Sequence, residues 1–311
     1  MTVHTTRNGD VEIAYETFGT TGAEPLLLLN GLDYQMIWMH DDLCTTLAER
    51  GFHVARFDYR DSGLSTHIDA TSSRSAWKAL LAGSKSGPYR GDDLLEDCLA
   101  VMGALGWDSA HLLGVSMGAG IAQHLAIRHP ERVRSLTLVA GLPMSTSPAA
   151  SLKYMHLGAF FRLALHRYGK DRASQERMLV DVMRATYTPA YPLEEDWARC
   201  TATLSYDRMP PDPAARARQI SAGRTLKATA QDLAAITVPT LVVHGENDPL
   251  IKPAAAHALA QAIPGSRMVT YPGMGHGLPR QLWPSVIDEV TTLTDNPAAH
   301  AHTPPAKPSP P

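Results

Sequence analysis

Short, almost continuous apolar runs recur along the chain, separated by longer stretches in which apolar residues return every three or four positions. The first pattern predicts buried strands and the second predicts amphipathic helices. The predicted strands are residues 11–18, 26–29, 53–57, 111–115, 136–140, 240–244 and 267–271. The predicted helices are residues 38–50, 92–105, 117–129, 151–166, 175–186, 253–263 and 282–293. Strands that alternate with helices indicate an α/β protein with a mostly parallel sheet and helices on both of its faces.

One long segment interrupts this alternation. Between residues 144 and 231 no strand-like apolar run appears, and the readable segments are helical. We therefore expect a core made of residues 1–143 and 232–295, with residues 144–231 inserted as a helical cap. Residues 296–311 are rich in proline and carry almost no bulky apolar side chain, so they predict a disordered tail.

Composition and charge narrow the classes of protein to consider. The chain has 28 Lys+Arg against 31 Asp+Glu, a formal charge of −3, and no basic stripe suited to a polyphosphate backbone. The polar N-terminus and short apolar runs predict neither a signal peptide nor a membrane span. Cys44, Cys98 and Cys200 are widely spaced and form no C-x-x-C pair. We expect a cytoplasmic protein, monomeric or weakly homo-oligomeric, that binds neither nucleic acid nor membranes.

A nucleophilic serine is predicted at residue 116. The sequence GVSMG at residues 114–118 lies between a predicted strand and a predicted helix, which is the setting of a G-x-S-x-G nucleophile elbow. Gly114 and Gly118 would avoid backbone clashes in so tight a turn. The turn would raise the Ser116 hydroxyl above the sheet at a helix N-terminus, where the backbone N–H of Met117 can stabilise an oxyanion.

A serine hydroxyl needs a base, and the base needs an acid to orient it. His276 is the candidate base, because it alone among the histidines combines a glycine-flanked loop with a position after the last predicted strand. Asp248 is the candidate acid, because it follows a strand at the edge where ligands meet a parallel sheet. Glu246 and Asp97 are weaker candidates. The chain order serine, aspartate, histidine is that of an α/β-hydrolase.

The second oxyanion donor is expected in the loop that follows residues 26–29. The backbone N–H of Leu32 is the candidate, and Gly31 would allow close approach of a substrate. A further segment, DYRDSGLS at residues 58–65, carries charges and hydroxyls that can tie a loop beneath the site. We interpret that segment as structural rather than catalytic.

The chain resembles the α/β-hydrolases over residues 10–295. More narrowly, GFHVARFDYRDSGLS at 51–65, GVSMG at 114–118 and GMGH at 273–276 are similar to the actinobacterial group that contains the aclacinomycin methylesterases of anthracycline biosynthesis. The resemblance implies an α/β-hydrolase fold and hydrolysis of a methyl ester on a polyketide-type molecule. It also implies a catalytic triad and two oxyanion donors, which are Ser116, Asp248, His276, Leu32 and Met117. Asn30 stands where many relatives carry histidine.

We expect a serine esterase that needs neither cofactor nor metal and acts on a small-molecule ester. The same triad also supports a generic short-chain esterase, a cofactor-free perhydrolase or haloperoxidase, a carbon–carbon bond hydrolase or a peptidase. Outside enzymes, a ligand-binding module without turnover is the alternative. Apolar cap residues could line the substrate pocket or form the packing face of the cap, and the pocket candidates are Met144, Tyr154, Phe160 and Phe161.

Overall fold

A single β-sheet organises the molecule. In the computed structural model, which describes residues 2–68, 87–159 and 167–295, eight strands pair in the order β1-β2-β4-β3-β5-β6-β7-β8. They are β1 (His4–Asn8), β2 (Val11–Phe18), β3 (Glu24–Leu29), β4 (Phe52–Phe57), β5 (Ala110–Val115), β6 (Val133–Val139), β7 (Thr240–Gly245) and β8 (Arg267–Tyr271). The first two strands pair antiparallel with their neighbours, and β3 to β8 are parallel. The prediction of a mostly parallel sheet is confirmed.

Helices cover both faces of this sheet. In chain order the described helices are α1 (Asp41–Glu49), α2 (Gly91–Ala104), α3 (Met117–Arg128), α4 (Pro148–Ser151), α5 (Arg172–Arg184), α6 (Glu195–Arg208), α7 (Pro213–Gly223), α8 (Ala230–Ala234), α9 (Pro253–Ala262) and α10 (Trp283–Asp295). Leu27 and Leu29 of β3 belong to the apolar cluster under α2, α3 and α9. Leu26 and Leu28 belong to the opposite cluster under α1 and α10. Side chains alternate across a strand, so four consecutive leucines bury both faces.

The helices α4 to α8 all lie between β6 and β7 in the chain. Two of them, α5 and α6, pack over a short 3-10 turn at Met36–Trp38, which follows the loop after β3. The contacts are apolar and include Val180, Met183 and Ala198. The helical insertion is therefore present as predicted. The cap boundaries, at 144 and 231, stay predictions.

The predicted helix at residues 151–166 is not continuous: in its described part Ser151 and residues 157–159 are helical, and the prediction is wrong at residues 152–156. The helix α4 ends at Ser151, Leu152–Tyr154 form a 3-10 turn, and Met155 then pairs with Ile251 in an isolated β-bridge. The backbone of this segment is bound instead to the loop after β7, where Lys252 N–H donates to Tyr154 O at 2.7 Å. Local apolar spacing cannot anticipate such a long-range backbone pairing.

Among the elements that the structure describes, the sequence also missed the strand β1 and the helices α6, α7 and α8. β1 is a polar edge strand without apolar alternation. The buried face of α6 consists of small residues, Ala198, Thr201, Ala202 and Ser205, rather than the bulky apolar side chains that mark an amphipathic helix. Phe160, Phe161 and the predicted tail at 296–311 lie outside the described residues. Over the described ranges, no helix has the length and apolar character needed to cross a membrane.

Candidate active site

Ser116 occupies a sharp turn between β5 and α3. Its backbone has φ of 55° and ψ of −112°, in the left-handed half of conformational space that side chains other than glycine rarely adopt. The turn is fixed by a hydrogen bond of 2.9 Å from Ser116 N–H to Val139 O of the neighbouring strand. Ser116 is partly exposed at the N-terminus of α3. The sharp strand-to-helix turn expected at residue 116 is thus present, and the role of Ser116 as nucleophile stays a prediction.

The glycines on either side of the serine are required by close backbone contacts. A Cβ on Gly114 would lie 2.5 Å from Gly118 C and 2.7 Å from Ala119 N. A Cβ on Gly118 would lie 2.5 Å from Leu29 C and 2.8 Å from Asn30 O, at the end of β3. Only glycine leaves enough space at these two positions.

His276 and Asp248 are hydrogen-bonded to each other. His276 Nδ1 lies 2.7 Å from Asp248 Oδ2, and both side chains are buried. The other oxygen, Asp248 Oδ1, accepts the backbone N–H groups of Leu250 and Ile251 at 2.7 and 2.8 Å. With Nδ1–H donating to the carboxylate, His276 Nε2 is free to accept a proton. Within the described residues, no hydrogen bond joins Ser116 Oγ to His276.

Cap residues fix the backbone of the histidine loop. Thr186 O, just after α5, accepts the N–H of His276 at 2.7 Å and the N–H of Gly277 at 3.2 Å. Thr188 Oγ1 donates to Gly273 O at 2.5 Å. A Cβ on Gly275 would collide with Thr186 O. The glycines around His276 therefore allow the cap backbone to approach the loop, a contact that the sequence did not predict.

The loop after β3 lies beside the serine. A Cβ on Gly31 would lie 3.8 Å from Ser116 Cβ, so the two backbones are close neighbours. Asn30 closes the loop, because its Oδ1 accepts Gly31 N–H at 3.0 Å and its Nδ2 donates to Gln35 O at 2.9 Å. Among the protein groups that the structure describes, no acceptor binds the N–H of Leu32 or of Met117. Both amides are available to a ligand.

The sequence of this chain matches a known protein family. A family model described as alpha/beta hydrolase fold matches residues 24–279. The chain belongs to this family. It is 28% identical to rhodomycin D methylesterase DauP of Streptomyces sp. (strain C5), covering 87% of this chain and 90% of that protein. It is 29% identical to rhodomycin D methylesterase DnrP of Streptomyces peucetius, covering 88% and 91%.

A solved structure shows the same fold at lower sequence identity. The crystal structure of the esterase RhEst1 from Rhodococcus sp. ECU1013 superimposes with a TM-score of 0.73, at 22% identity, over 96% of this chain and 100% of that one. The α/β-hydrolase fold predicted from the sequence is therefore confirmed.

The weaker acid candidates of this α/β-hydrolase have other partners. Asp97 is fully buried and binds Arg60 through two hydrogen bonds of 2.6 and 2.7 Å. Glu246 is exposed and accepts a hydrogen bond from Thr270 Oγ1. His244 is buried with its Nε2 3.6 Å from Asp248 Oδ2, and burial lowers its pKa below the ordinary value. Its Nε2 lies 3.0 Å from Ile251 O, as expected for a packed neutral histidine.

The 58–65 segment of the α/β-hydrolase ties the core to the cap. Asp58 accepts the N–H groups of Met36 and Leu64 at 2.6 and 2.9 Å and an N–H of Arg208 at 2.6 Å. Burial raises the pKa of Asp58. Asp61 accepts two hydrogen bonds of 2.8 Å from Arg218. Because these buried pairs join core loops to α6 and α7, the interpretation of the segment as structural is supported.

Of the four predicted pocket residues the structure describes Met144 and Tyr154, and these two contact different parts of the core. Met144 packs against α3, its sulfur 2.9 Å from where a Cβ on Gly120 would lie. Tyr154 lies beside the loop after β7. A cavity of about 680 Å³ opens between residues 152–159 and that loop, which is within the size range of small-molecule sites. Of the three residues predicted to form a triad, Asp248 alone is among its described lining residues.

Proposed function

We propose that this α/β-hydrolase is a serine hydrolase that cleaves carboxylic esters through an acyl-enzyme on Ser116. The observation that carries the proposal is the 2.7 Å hydrogen bond between His276 Nδ1 and Asp248 Oδ2. It orients a histidine as base in the same molecule that has a serine in a strained elbow. The assignments of Ser116, Asp248 and His276 all belong to this proposal.

In the proposed reaction, His276 Nε2 takes the proton from Ser116 Oγ as the oxygen attacks the ester carbonyl. The carbonyl oxygen becomes an anion that accepts hydrogen bonds from the backbone N–H groups of Leu32 and Met117. His276 then gives its proton to the alcohol oxygen as the ester C–O bond breaks. Water repeats the sequence on the acyl-enzyme, releasing the acid and restoring the serine. Asp248 stabilises the imidazolium throughout.

The substrate class follows from the relatives. DauP and DnrP are named as methylesterases of rhodomycin D, and each aligns with nearly the whole chain. Both names agree with the assignment of this chain as a carboxylic ester hydrolase. We propose the methyl ester of a polyketide-type or anthracycline-type molecule as its substrate. The core of the proposal, ester hydrolysis on Ser116, does not depend on that finer assignment.

The first test compares p-nitrophenyl acetate hydrolysis by the wild type, Ser116→Ala and Ser109→Ala. Ser109 immediately precedes β5 and Ser116 immediately follows it, so the control changes the same residue type at the far end of the same strand. We expect Ser116→Ala to lose about 10³-fold or more in kcat, while Ser109→Ala stays near the wild type. Equal rates for the wild type and Ser116→Ala would overturn the proposal.

A second test addresses the substrate. The protein is incubated with an anthracycline methyl ester, and loss of the methyl group is followed by mass spectrometry. We expect conversion to the free acid by the wild type and none by Ser116→Ala. If this ester survives while short acyl esters are hydrolysed, a generic short-chain esterase replaces the methylesterase assignment.

A further inference from the structure

We propose that Arg216 and Gln219, on cap helix α7, are positioning residues that hold the loop carrying the Leu32 amide in its working conformation. The proposal rests on the function proposed above, because it concerns the oxyanion donor of that site. Cap residues are otherwise expected to select the substrate or to pack the cap. The proposal gives these two residues a role in the chemistry.

Asp33 is the residue through which this contact acts. It directly follows Leu32 and has φ of 66°, in the left-handed region that a residue with a Cβ enters at an energetic cost. Aspartate tolerates this region better than most residues do. A conformation of this kind persists where surrounding contacts impose it. Among the described residues, the two side chains that bind Asp33 both come from α7.

Gln219 binds the backbone of Asp33. Its Oε1 accepts Asp33 N–H at 3.1 Å, and its Nε2 donates to Arg60 O at 3.1 Å. The side chain is fully buried. A buried amide held at both ends has little freedom to move, so it fixes the peptide group between Leu32 and Asp33 relative to the core.

Arg216 binds the side chain of the same residue. Its Nε and one terminal nitrogen each lie 2.6 Å from Asp33 Oδ2. Arg216 and Gln219 are three positions apart on α7, so they face the same side of that helix. Both of their contacts therefore reach Asp33 from one direction, and any movement of α7 is passed on to the loop.

The consequence for Leu32 comes from the bonds on either side of it. Gly31 N–H is held by Asn30 Oδ1 at 3.0 Å, and Asp33 N–H is held by Gln219. The N–H between them, that of Leu32, donates to no acceptor in the described part of the chain. The loop is thus fixed around one unbound donor beside Ser116. Donors fixed in advance of the reaction are what stabilise a developing oxyanion.

The test measures kcat and KM for p-nitrophenyl acetate with Arg216→Ala and Arg216→Lys. Removing one oxyanion donor costs about 10²- to 10³-fold in kcat, and a displaced donor costs part of that. We expect Arg216→Ala to lower kcat by about 10- to 100-fold with KM changed by less than about twofold. Arg216→Lys keeps one donor for Asp33 and should recover part of the loss.

The matched control is Arg172→Ala. Arg172 is another cap arginine, and its ion pairs are with Glu176 and Asp207, both within the cap. We expect its kcat to equal that of the wild type. Thermal unfolding of every variant is measured alongside, so that a loss of folded protein is separated from a loss of catalysis. Arg216→Lys serves as the readout if Arg216→Ala does not fold.

A second readout separates positioning from general damage. A trifluoromethyl ketone that adds to the serine forms a tetrahedral anion, whereas the carboxylic acid product does not. Arg216→Ala should weaken the ketone in proportion to its loss in kcat/KM and leave product binding unchanged. An unchanged kcat, or an equal weakening of ketone and product, would refute the positioning role. Activity that survives in Ser116→Ala would instead refute the proposed function.

Discussion

Replacing Gly118 by alanine should destabilise the protein and impair its catalysis together. Gly118 lies in the first turn of α3, two residues after Ser116. Alanine is the better helix former, so helix propensity alone predicts a gain of up to about 1 kcal/mol. The tertiary contacts of this position predict the opposite sign.

The magnitude follows from the space around Gly118. The added Cβ would lie 2.5 Å from Leu29 C, which is 0.9 Å inside the 3.4 Å at which ordinary contact begins, and 2.8 Å from Asn30 O. These atoms are backbone and cannot rotate away, so the end of β3 must move. Overpacking of this kind costs about 1–3 kcal/mol, and we expect the upper end of that range.

The displaced backbone leads directly into the loop that carries Leu32. A misplacement of about 1 Å near a catalytic site can cost about 10²-fold in rate. We therefore expect Gly118→Ala to lower kcat on p-nitrophenyl acetate by about 10²-fold. The melting temperature should fall by about 6–12 °C, taking about 3 kcal/mol and the scale of about 2–4 °C per kcal/mol that holds for chains of 150–250 residues.

Gly103→Ala is the matched control. Gly103 is also helical, in α2, and a Cβ there would meet nothing within 4 Å. This variant should keep its kcat and melt at the wild-type temperature or slightly above it. Thermal unfolding and steady-state kinetics of the two variants test this prediction. A Gly118→Ala protein that melts no lower than the wild type would show that the steric reasoning is wrong.

Three further predictions concern the acid, the cap and a buried histidine. Asp248→Asn should lower kcat by about 10³- to 10⁴-fold in steady-state assays, because an amide no longer fixes the tautomer of His276; a loss below tenfold would contradict its role. Arg218→Met should cost about 3–5 kcal/mol in urea unfolding, since it leaves the fully buried Asp61 carboxylate without its arginine partner, and adding Asp61→Asn should recover part of this. Burial lowers the pKa of His124 to about 4, so the unfolded chain binds a proton below about 6.5 that the folded chain does not. His124 should therefore lower the free energy of unfolding by up to about 3 kcal/mol between pH 6.5 and 4, and His124→Leu should reduce the total fall by about this amount in urea titrations at both pH values.

The strands of the parallel sheet were predictable because a buried strand is marked by its own run of apolar residues. A run such as Leu26–Leu29 is apolar at every position, and only a strand covered on both faces uses such a run. The predicted bounds of 267–271 coincide with β8. The weakest predictions fall in the cap, where α6 buries alanine, threonine and serine, and where residues 152–155 pair with the loop after β7.

The candidate site likewise has features that the sequence predicts and features that it does not. The glycines at 114 and 118 and the order of serine, aspartate and histidine are visible in the sequence, because a tight elbow leaves no room for side chains. The contacts of Thr186 with the histidine loop and of Arg216 with Asp33 are not visible. Each joins residues far apart in the chain, and nothing in the local composition marks either partner.

The sequence by itself determined the fold class and predicted the turn at residue 116 and the candidate residues of the site, because apolar periodicity and backbone sterics act over a few residues. The tertiary structure alone decided how the cap meets the core. Asp58, Asp61 and Asp33 each bind an arginine more than 140 positions away. The residue types do not identify these partners, since any arginine can bind a carboxylate. The packing of the cap helices on the core decides which arginine reaches which aspartate. The sequence therefore predicts the helical insertion, and the structure adds the contacts by which its arginines bind the core loops.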